Sequence, residues 1–230
     1  MNINQLIRPA IRNFPSISWG ENEYDNSFLI LKWGENPYGM PYPNQMKKLK
    51  SQLAQYTNSS VDQLCLTNGS DKAFRLLAEV LIDANDEAIT FAPSYPVINS
   101  SVSMMGGKII TLPLSKNLTI PPLSTIKNYV NKNTKLIYIC NPNNPTGNFM
   151  ATNRQIEKLL RLPVVVVVDE AYFEFSNQTS IKLLKKYNNL IILRSFSKTF
   201  GLAGLRVGYS ITSPQINTFL LRLEESIEIF

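Results

Sequence analysis

An α/β fold with a mostly parallel central sheet and helices on both faces is what this sequence predicts, from three observations. From about residue 60 onward, short β-branched runs alternate with amphipathic segments of helix length. Val164–Val168 is an unbroken run of valines, the pattern of a strand covered on both faces as in a parallel sheet. With 44% hydrophobic and only 17% charged residues in 230, the chain also carries enough apolar surface for a substantial core.

The elements run in order along the chain. Residues 1–57 hold Trp19 and Trp33 together with Pro9, Pro15, Pro37, Pro41 and Pro43, and read as an extended arm followed by one helix, Asn44–Tyr56. An arm without its own core has to pack on the main domain or on a partner subunit. Residues 58–230 are expected to form the α/β domain. Gln63–Thr67 reads as a strand and Ser70–Ile82 as a helix, with Phe74, Leu77, Ala78 and Leu81 at helical spacing. Glu87–Phe91 is a strand, Tyr95–Met105 a helix and Lys108–Leu112 a strand. Pro113, Pro121 and Pro122 mark a loop before a helix from Leu123 to Val130. Leu136–Cys140 is a strand, and Thr152 caps a helix running to Leu160. Beyond the valine strand, Leu190–Leu193 and Leu205–Ile211 add two more, and a last helix begins near Pro214.

Composition excludes several functions. The formal net charge is +6, but the basic residues are spread along the chain and the densest cluster is Lys47, Lys48 and Lys50. A solvated basic surface, suited to ligands that carry phosphate, fits this better than a nucleic-acid groove. The absence of histidine rules out Ser-His-Asp and Cys-His mechanisms and weighs against a zinc site, so no metal is expected. Cys65 and Cys140 lie inside apolar runs, as buried free thiols of a reducing compartment do. Residues Met1–Gln5 carry no apolar core of signal-peptide type, and no apolar run approaches a membrane span. The expected location is the cytoplasm.

Ligands of open α/β sheets bind at the carboxyl ends of the strands, so the residues just past each strand matter most. Asp169 and Glu170, then Ala171 and Tyr172, follow the valines. A carboxylate at the mouth of a buried strand needs a cation or a hydrogen-bond donor, and a protonated pyridine nitrogen would serve. On its own, the segment reads more readily as an ordinary strand-end acid capping the next segment. Asn141-Pro142-Asn143-Asn144-Pro145-Thr146-Gly147, after Leu136–Cys140, is a rigid turn whose asparagines could be structural. After Leu190–Leu193 come Arg194, Ser195, Phe196, Ser197, Lys198, Thr199, Phe200 and Gly201, then Gly204, Arg206 and Gly208. Hydroxyls, glycines, an arginine and a lysine there suit a phosphate cradle beside a nucleophilic amine. Asn68-Gly69-Ser70-Asp71 opens a helix whose first N–H groups attract phosphate, although a plain N-cap explains the same residues. Taken together, these features put an amine, an acid and an anion cradle on one sheet edge. A lysine Schiff base with an aspartate on the pyridinium nitrogen is the signature of a pyridoxal 5'-phosphate (PLP) site.

With Glu35-Asn36-Pro37-Tyr38-Gly39 and Tyr42-Pro43 added to these motifs, the sequence resembles the fold-type-I PLP aminotransferases, with an aspartate-aminotransferase-like large domain. Within them it is similar to the histidinol-phosphate aminotransferase group. The motifs occur in that family's order from residue 35 to about 210. The resemblance implies that Lys198 holds PLP as a Schiff base and shuttles the proton between substrate and cofactor carbons. It implies that Asp169 keeps the pyridine nitrogen protonated, that Asn144 and Tyr172 bond the ring's phenolic oxygen, and that Tyr95 stacks on the ring. Ser195, Ser197, Arg206 and the backbone of Ser70 and Asp71 would hold the phosphate. Tyr42 would reach the phosphate of a partner subunit across a homodimer interface, and Tyr24 and Asn36 would line the substrate pocket.

The chain departs from the family in two places. The usual helix-bearing stretch between Gly39 and Tyr42 is missing, and the chain stops at Phe230 where family members continue through a small C-terminal domain. That domain supplies the arginine for the substrate's carboxylate or phosphate. An abbreviated enzyme, a fragment and a paralogue without activity are all open readings. The implied reaction is a ping-pong transamination between glutamate and a phosphorylated imidazole ketone, the histidinol phosphate/imidazole acetol phosphate pair of histidine biosynthesis. A threonine-phosphate decarboxylase of the same lineage and a non-catalytic PLP-binding protein are the alternatives.

Overall fold

The computed structural model describes residues 2–13 and 42–224, with side chains except at 42–46. Its regular elements, in chain order, are α1 (Pro9–Arg12), α2 (Tyr42–Thr57), β1 (Leu64–Asn68), α3 (Gly69–Leu81), β2 (Glu87–Ala92), α4 (Val97–Met104), β3 (Lys108–Pro113), α5 (Leu123–Lys127), β4 (Thr134–Cys140), α6 (Asn153–Leu159), β5 (Val165–Asp169), α7 (Phe173–Ser176), β6 (Leu190–Ser195), β7 (Val207–Thr212) and α8 (Pro214–Leu223).

The strands form one seven-stranded sheet in the order β1-β7-β6-β5-β4-β2-β3. β7 pairs antiparallel with both β1 and β6, and the remaining pairs are parallel. The sheet is therefore mostly parallel, with one reversed strand inserted. Every residue of β5 and β6 is buried, so both faces of the sheet are covered at its centre. The edge strand β3 is largely open to solvent. Helix α3 packs on β1, β6 and β7, α4 on β3, and α8 on β1 and β7.

Boundaries moved where local chemistry outweighs periodicity. The helix expected from Tyr95 begins at Val97, because the residue before a proline, here Tyr95 before Pro96, is kept out of the helical region. The strand expected from Leu205 begins at Val207, because Arg206 takes a left-handed conformation (φ 52°) that closes a 3-10 turn over Ala203–Leu205. The helix after Pro122 stops at Lys127, short of Val130. Thr152 caps α6 as its composition suggests: its hydroxyl accepts from the Gln155 N–H, and the Gln155 side-chain carbonyl accepts from the Thr152 N–H.

Residues 2–13 pack against the main domain. Ile3, Leu6, Ile7 and Ile11 are buried in the common core. Arg8 donates its backbone N–H to the Val80 carbonyl and its guanidinium to the Glu79 carbonyl (2.8 Å), and it pairs with Asp83 at 2.9 Å. It thus satisfies carbonyls that the last turn of α3 leaves open. Trp19, Trp33, Tyr24, Asn36 and the Glu35–Gly39 motif lie outside the described residues, as does the side chain of Tyr42. Among the described residues no helix is long and apolar enough to cross a membrane.

Candidate active site

The register brings the motifs to one edge of the sheet. Gly208, at the start of the reversed strand β7, stands opposite Thr67 near the end of β1 and Ser195 at the end of β6. Asp169 ends β5 and pairs across to Cys140, which ends β4. The turns that follow β1, β4, β5 and β6 therefore open on the same side.

Two glycines bring the start of α3 against β7. Gly69 opens α3 at φ +73°, where a side chain is strained, and a Cβ on it would come within 2.7 Å of the Arg206 guanidinium. A Cβ on Gly208 would lie 2.6 Å from the Gly69 carbonyl carbon and 2.7 Å from the Ser70 nitrogen. The absence of both side chains lets the first turn of α3 rest directly on β7, with Arg206 beside it. Gly208→Ala is expected to destabilise the fold by about 1–3 kcal/mol, because backbone must shift. Gly204→Ala, whose Cβ meets nothing within 4 Å, is the near-neutral comparison. Denaturant midpoints of the two variants check this.

Arg206 donates from Nη2 to the Asp71 carboxylate at 3.0 Å, and the Tyr95 hydroxyl donates to the other Asp71 oxygen at 3.4 Å. Ser195 is buried and its hydroxyl accepts from the Ser197 N–H at 3.0 Å, shaping the turn that leads to Lys198 while leaving its own hydrogen free to donate. Ser70, Asp71, Tyr95, Ser195, Ser197 and Arg206 are thus brought to one corner, with Asp71 engaging Arg206 and Tyr95 through its carboxylate.

Asp169 is buried at 3% exposure. Its Oδ2 accepts from the Tyr138 hydroxyl at 2.9 Å and its Oδ1 from the Ala171 N–H at 3.0 Å, both neutral donors. Burial pushes its carboxyl up to about 6, opposed by these two hydrogen bonds and reinforced by Asp71 and Glu170. Ionising near 3.8 when unfolded and near 6 in the fold, Asp169 holds its proton more tightly in the native state. Stability is therefore full below the unfolded value and falls by about 3 kcal/mol as pH rises through the folded one. The isosteric Asp169→Asn removes that loss. In ligand-free protein it is expected to raise stability near pH 8 by roughly 1–3 kcal/mol and to give no gain near pH 4. Urea unfolding at both pH values measures the difference, and an equal gain at both would trace it to something other than the charge.

Tyr172 and Asn144 line one cavity of about 370 Å³, shared with Asn143, Phe149, Phe175 and Ser176. The exposed Lys198 holds its Nζ 5.6 Å from the centroid of the Tyr172 ring. The adjacent asparagines Asn143 and Asn144 of the turn differ in their contacts. Asn143 is buried and structural: its Nδ2 donates to the Pro93 carbonyl (3.0 Å) and the Thr146 hydroxyl (2.7 Å), and its Oδ1 accepts from Ser94 (2.7 Å). It thereby fastens the turn bearing Asn144 to the turn bearing Tyr95.

Three residues without a role in the sequence reading prove central. Tyr138 holds Asp169. Glu170 and Arg194 form a fully buried ion pair at 2.9 Å, joined by the Thr179 hydroxyl and the Ser180 N–H, with the guanidinium 3.6 Å from the centroid of the Phe173 ring. A hydroxyl inside the apolar strand Leu136–Cys140, and an arginine closing Leu190–Leu193, were the signals available.

The fold and this edge define a class: an α/β domain, covered on both faces, with a glycine-opened helix start, an arginine, a buried acid and a primary amine gathered past its strand ends. The chain belongs to the aminotransferase class I and II family, whose model matches residues 14–227. It is 38% identical over 189 residues to a histidinol-phosphate aminotransferase of Dehalococcoides mccartyi, covering 82% of this chain and 52% of the relative. It is 44% identical over 169 residues to histidinol-phosphate aminotransferase 2 of Carboxydothermus hydrogenoformans, covering 70% of this chain and 46% of the relative. The chain thus spans about half the length of these curated relatives. Among solved structures, histidinol-phosphate aminotransferase of Sinorhizobium meliloti, in complex with pyridoxal-5'-phosphate, superposes with a TM-score of 0.70 at 26% identity, covering 78% of this chain and 50% of that one.

Proposed function

We propose that this chain is the cofactor-binding large domain of a PLP-dependent aminotransferase acting on histidinol phosphate and imidazole acetol phosphate, with glutamate and 2-oxoglutarate as the other pair. The observation that carries the reading is the buried Asp169, held by two neutral donors, standing on the same sheet edge as a glycine-built anion cradle and Lys198. The residues present fit PLP group by group. A buried carboxylate pushed up to about 6 gains from a cation, which a protonated pyridine nitrogen supplies. Gly69, Gly208 and Arg206 leave N–H groups and a guanidinium for a phosphate. Asn144 and Tyr172 offer an amide and a phenol to one cavity.

When bound, PLP supplies an aldehyde that condenses with amines and a pyridinium ring that draws electrons from the breaking bond. The chain's own residues do the rest. Lys198 provides the amine that anchors the cofactor and carries a proton at Nζ. Asp169 holds a proton on the ring nitrogen through an oxygen lone pair left open by Tyr138 and Ala171. Asn144 and Tyr172 orient the ring through its phenolic oxygen, and Tyr95 covers its face. Ser70, Asp71, Ser195, Ser197 and Arg206 fix the phosphate, with Tyr42 serving a partner subunit's site in a homodimer. Residues 1–57 act as arm and helix and residues 58–230 as the large domain, working in the cytoplasm on small molecules.

The names of the curated relatives support the substrate pair. The test is the visible spectrum of the purified protein with PLP, before and after glutamate, followed by imidazole acetol phosphate. A band that glutamate bleaches and the phosphorylated ketone restores is expected. No response to glutamate would overturn the transaminase reading while leaving a cofactor-binding protein.

A further inference from the structure

We propose that Tyr138 is a positioning residue that keeps the buried Asp169 ionised, so that Asp169 can retain a proton on the ring nitrogen of the bound cofactor. The inference rests on the PLP reading and assigns a role to a residue that this reading leaves without one.

The geometry is specific. Tyr138 lies within β4, one strand over from β5, and its hydroxyl meets Asp169 Oδ2 at 2.9 Å with both residues buried. Its ring is packed edge-on by Phe74, with centroids 5.5 Å apart and planes at 75°. Phe74 also touches the Tyr95 ring at 6.4 Å. Phenylalanine would fill the same space against Phe74, so packing does not call for the hydroxyl. A buried hydroxyl is costly unless bonded, and this one spends its hydrogen bond on the acid.

The surroundings explain why such a donor matters. Burial favours the neutral acid, and so do the carboxylates that face Asp169: Asp71 at the start of α3 and Glu170 at the end of β5. Cys140 on β4, a thiol that burial pushes up to about 12, and Tyr95 after β2, a phenol that burial also pushes up, are neutral near pH 7 and offer no positive charge. Among the described residues, the Ala171 N–H and the Tyr138 hydroxyl pull the other way, and of these two the hydroxyl belongs to a side chain. A hydrogen bond to the charged form favours that form. One proton is shared between the carboxylate and the ring nitrogen. When Asp169 is the stronger base the proton rests on its oxygen, and the nitrogen is left neutral. Tyr138 lowers that basicity and sends the proton to the nitrogen.

Two readouts on the full chain test this. In ligand-free protein labelled with carboxyl-13C aspartate, the Asp169 resonance, assigned by its loss in Asp169→Asn, reports the carboxyl directly. In Tyr138→Phe its midpoint is expected to move up by about one pH unit. With ring-15N PLP bound, the nitrogen is expected to be protonated at neutral pH in the unsubstituted protein and less so in Tyr138→Phe, with PLP affinity about tenfold lower. Site-specific 3-fluorotyrosine at 138 keeps the ring and strengthens the donor, so it should move the Asp169 midpoint down even if Tyr138→Phe folds poorly. An unmoved midpoint in both variants overturns the proposal and leaves the PLP reading intact. A ring nitrogen indifferent to both Asp169→Asn and Tyr138→Phe overturns the pairing of Asp169 with the ring, and the proposal with it.

Discussion

Replacing Lys198 by alanine is expected to abolish covalent attachment of PLP. Borohydride reduction should fix a phosphopyridoxyl group on the peptide bearing Lys198 in the unsubstituted protein and on no peptide in the variant. Lys198 leaves the buried end of β6 through the turn that Ser195 shapes, and its Nζ reaches the Tyr172 ring at 5.6 Å. On the proposed function, losing it would remove both the anchoring amine and a proton carrier. Transfer between amino acid and cofactor should then fall by a factor on the order of 10²–10⁴. PLP held by its phosphate alone should still bind, because Arg206, Gly69 and Gly208 are untouched. A reduced adduct persisting in the variant would show that another amine carries the cofactor.

The largest effect on stability is expected at the Glu170–Arg194 pair. Its side chains are 1% and 2% exposed, so removing either charge strands the other in the core. Glu170→Ala or Arg194→Ala should each cost about 3–5 kcal/mol, read from urea unfolding. The double variant Glu170→Leu/Arg194→Met should recover part of that loss, since no unpaired charge remains. Incomplete recovery is expected because the Ser180 N–H and Thr179 hydroxyl lose their acceptor. Single-variant costs below about 1 kcal/mol would place the pair in solvent rather than in the core. Glu170 directly follows Asp169 and Arg194 directly precedes Ser195. The pair therefore ties the end of β5 to the turn leading to Lys198, and its loss should loosen PLP binding beyond the loss in fold stability.

Which residues would gather past the strand ends was largely legible in the sequence. Asp169, Lys198, Asn144 and the Gly69–Asp71 turn announced themselves because glycines, prolines and isolated charges at strand ends break the apolar pattern around them. The limits were equally physical. Asn143 and Asn144 are adjacent and chemically identical and both line the cavity, and only the contacts of Asn143 with Pro93, Ser94 and Thr146 set it apart as the one that fastens the turn. Tyr138 looked like one more apolar strand residue, because nothing local points its hydroxyl at an acid 31 residues away.

By itself, the sequence determined the α/β alternation, the doubly covered valine strand, the cap at Thr152 and the residue types gathered past the strand ends. These are local properties, governed by periodicity of two or 3.6 and by turn chemistry within a few residues. Tertiary structure alone decided that β7 runs antiparallel between β1 and β6, that residues 2–13 dock on the end of α3, and that Arg194 and Glu170 meet in the core. Those outcomes depend on register between segments far apart in the chain. There, the burial of one side chain is settled by what the rest of the sheet lays against it.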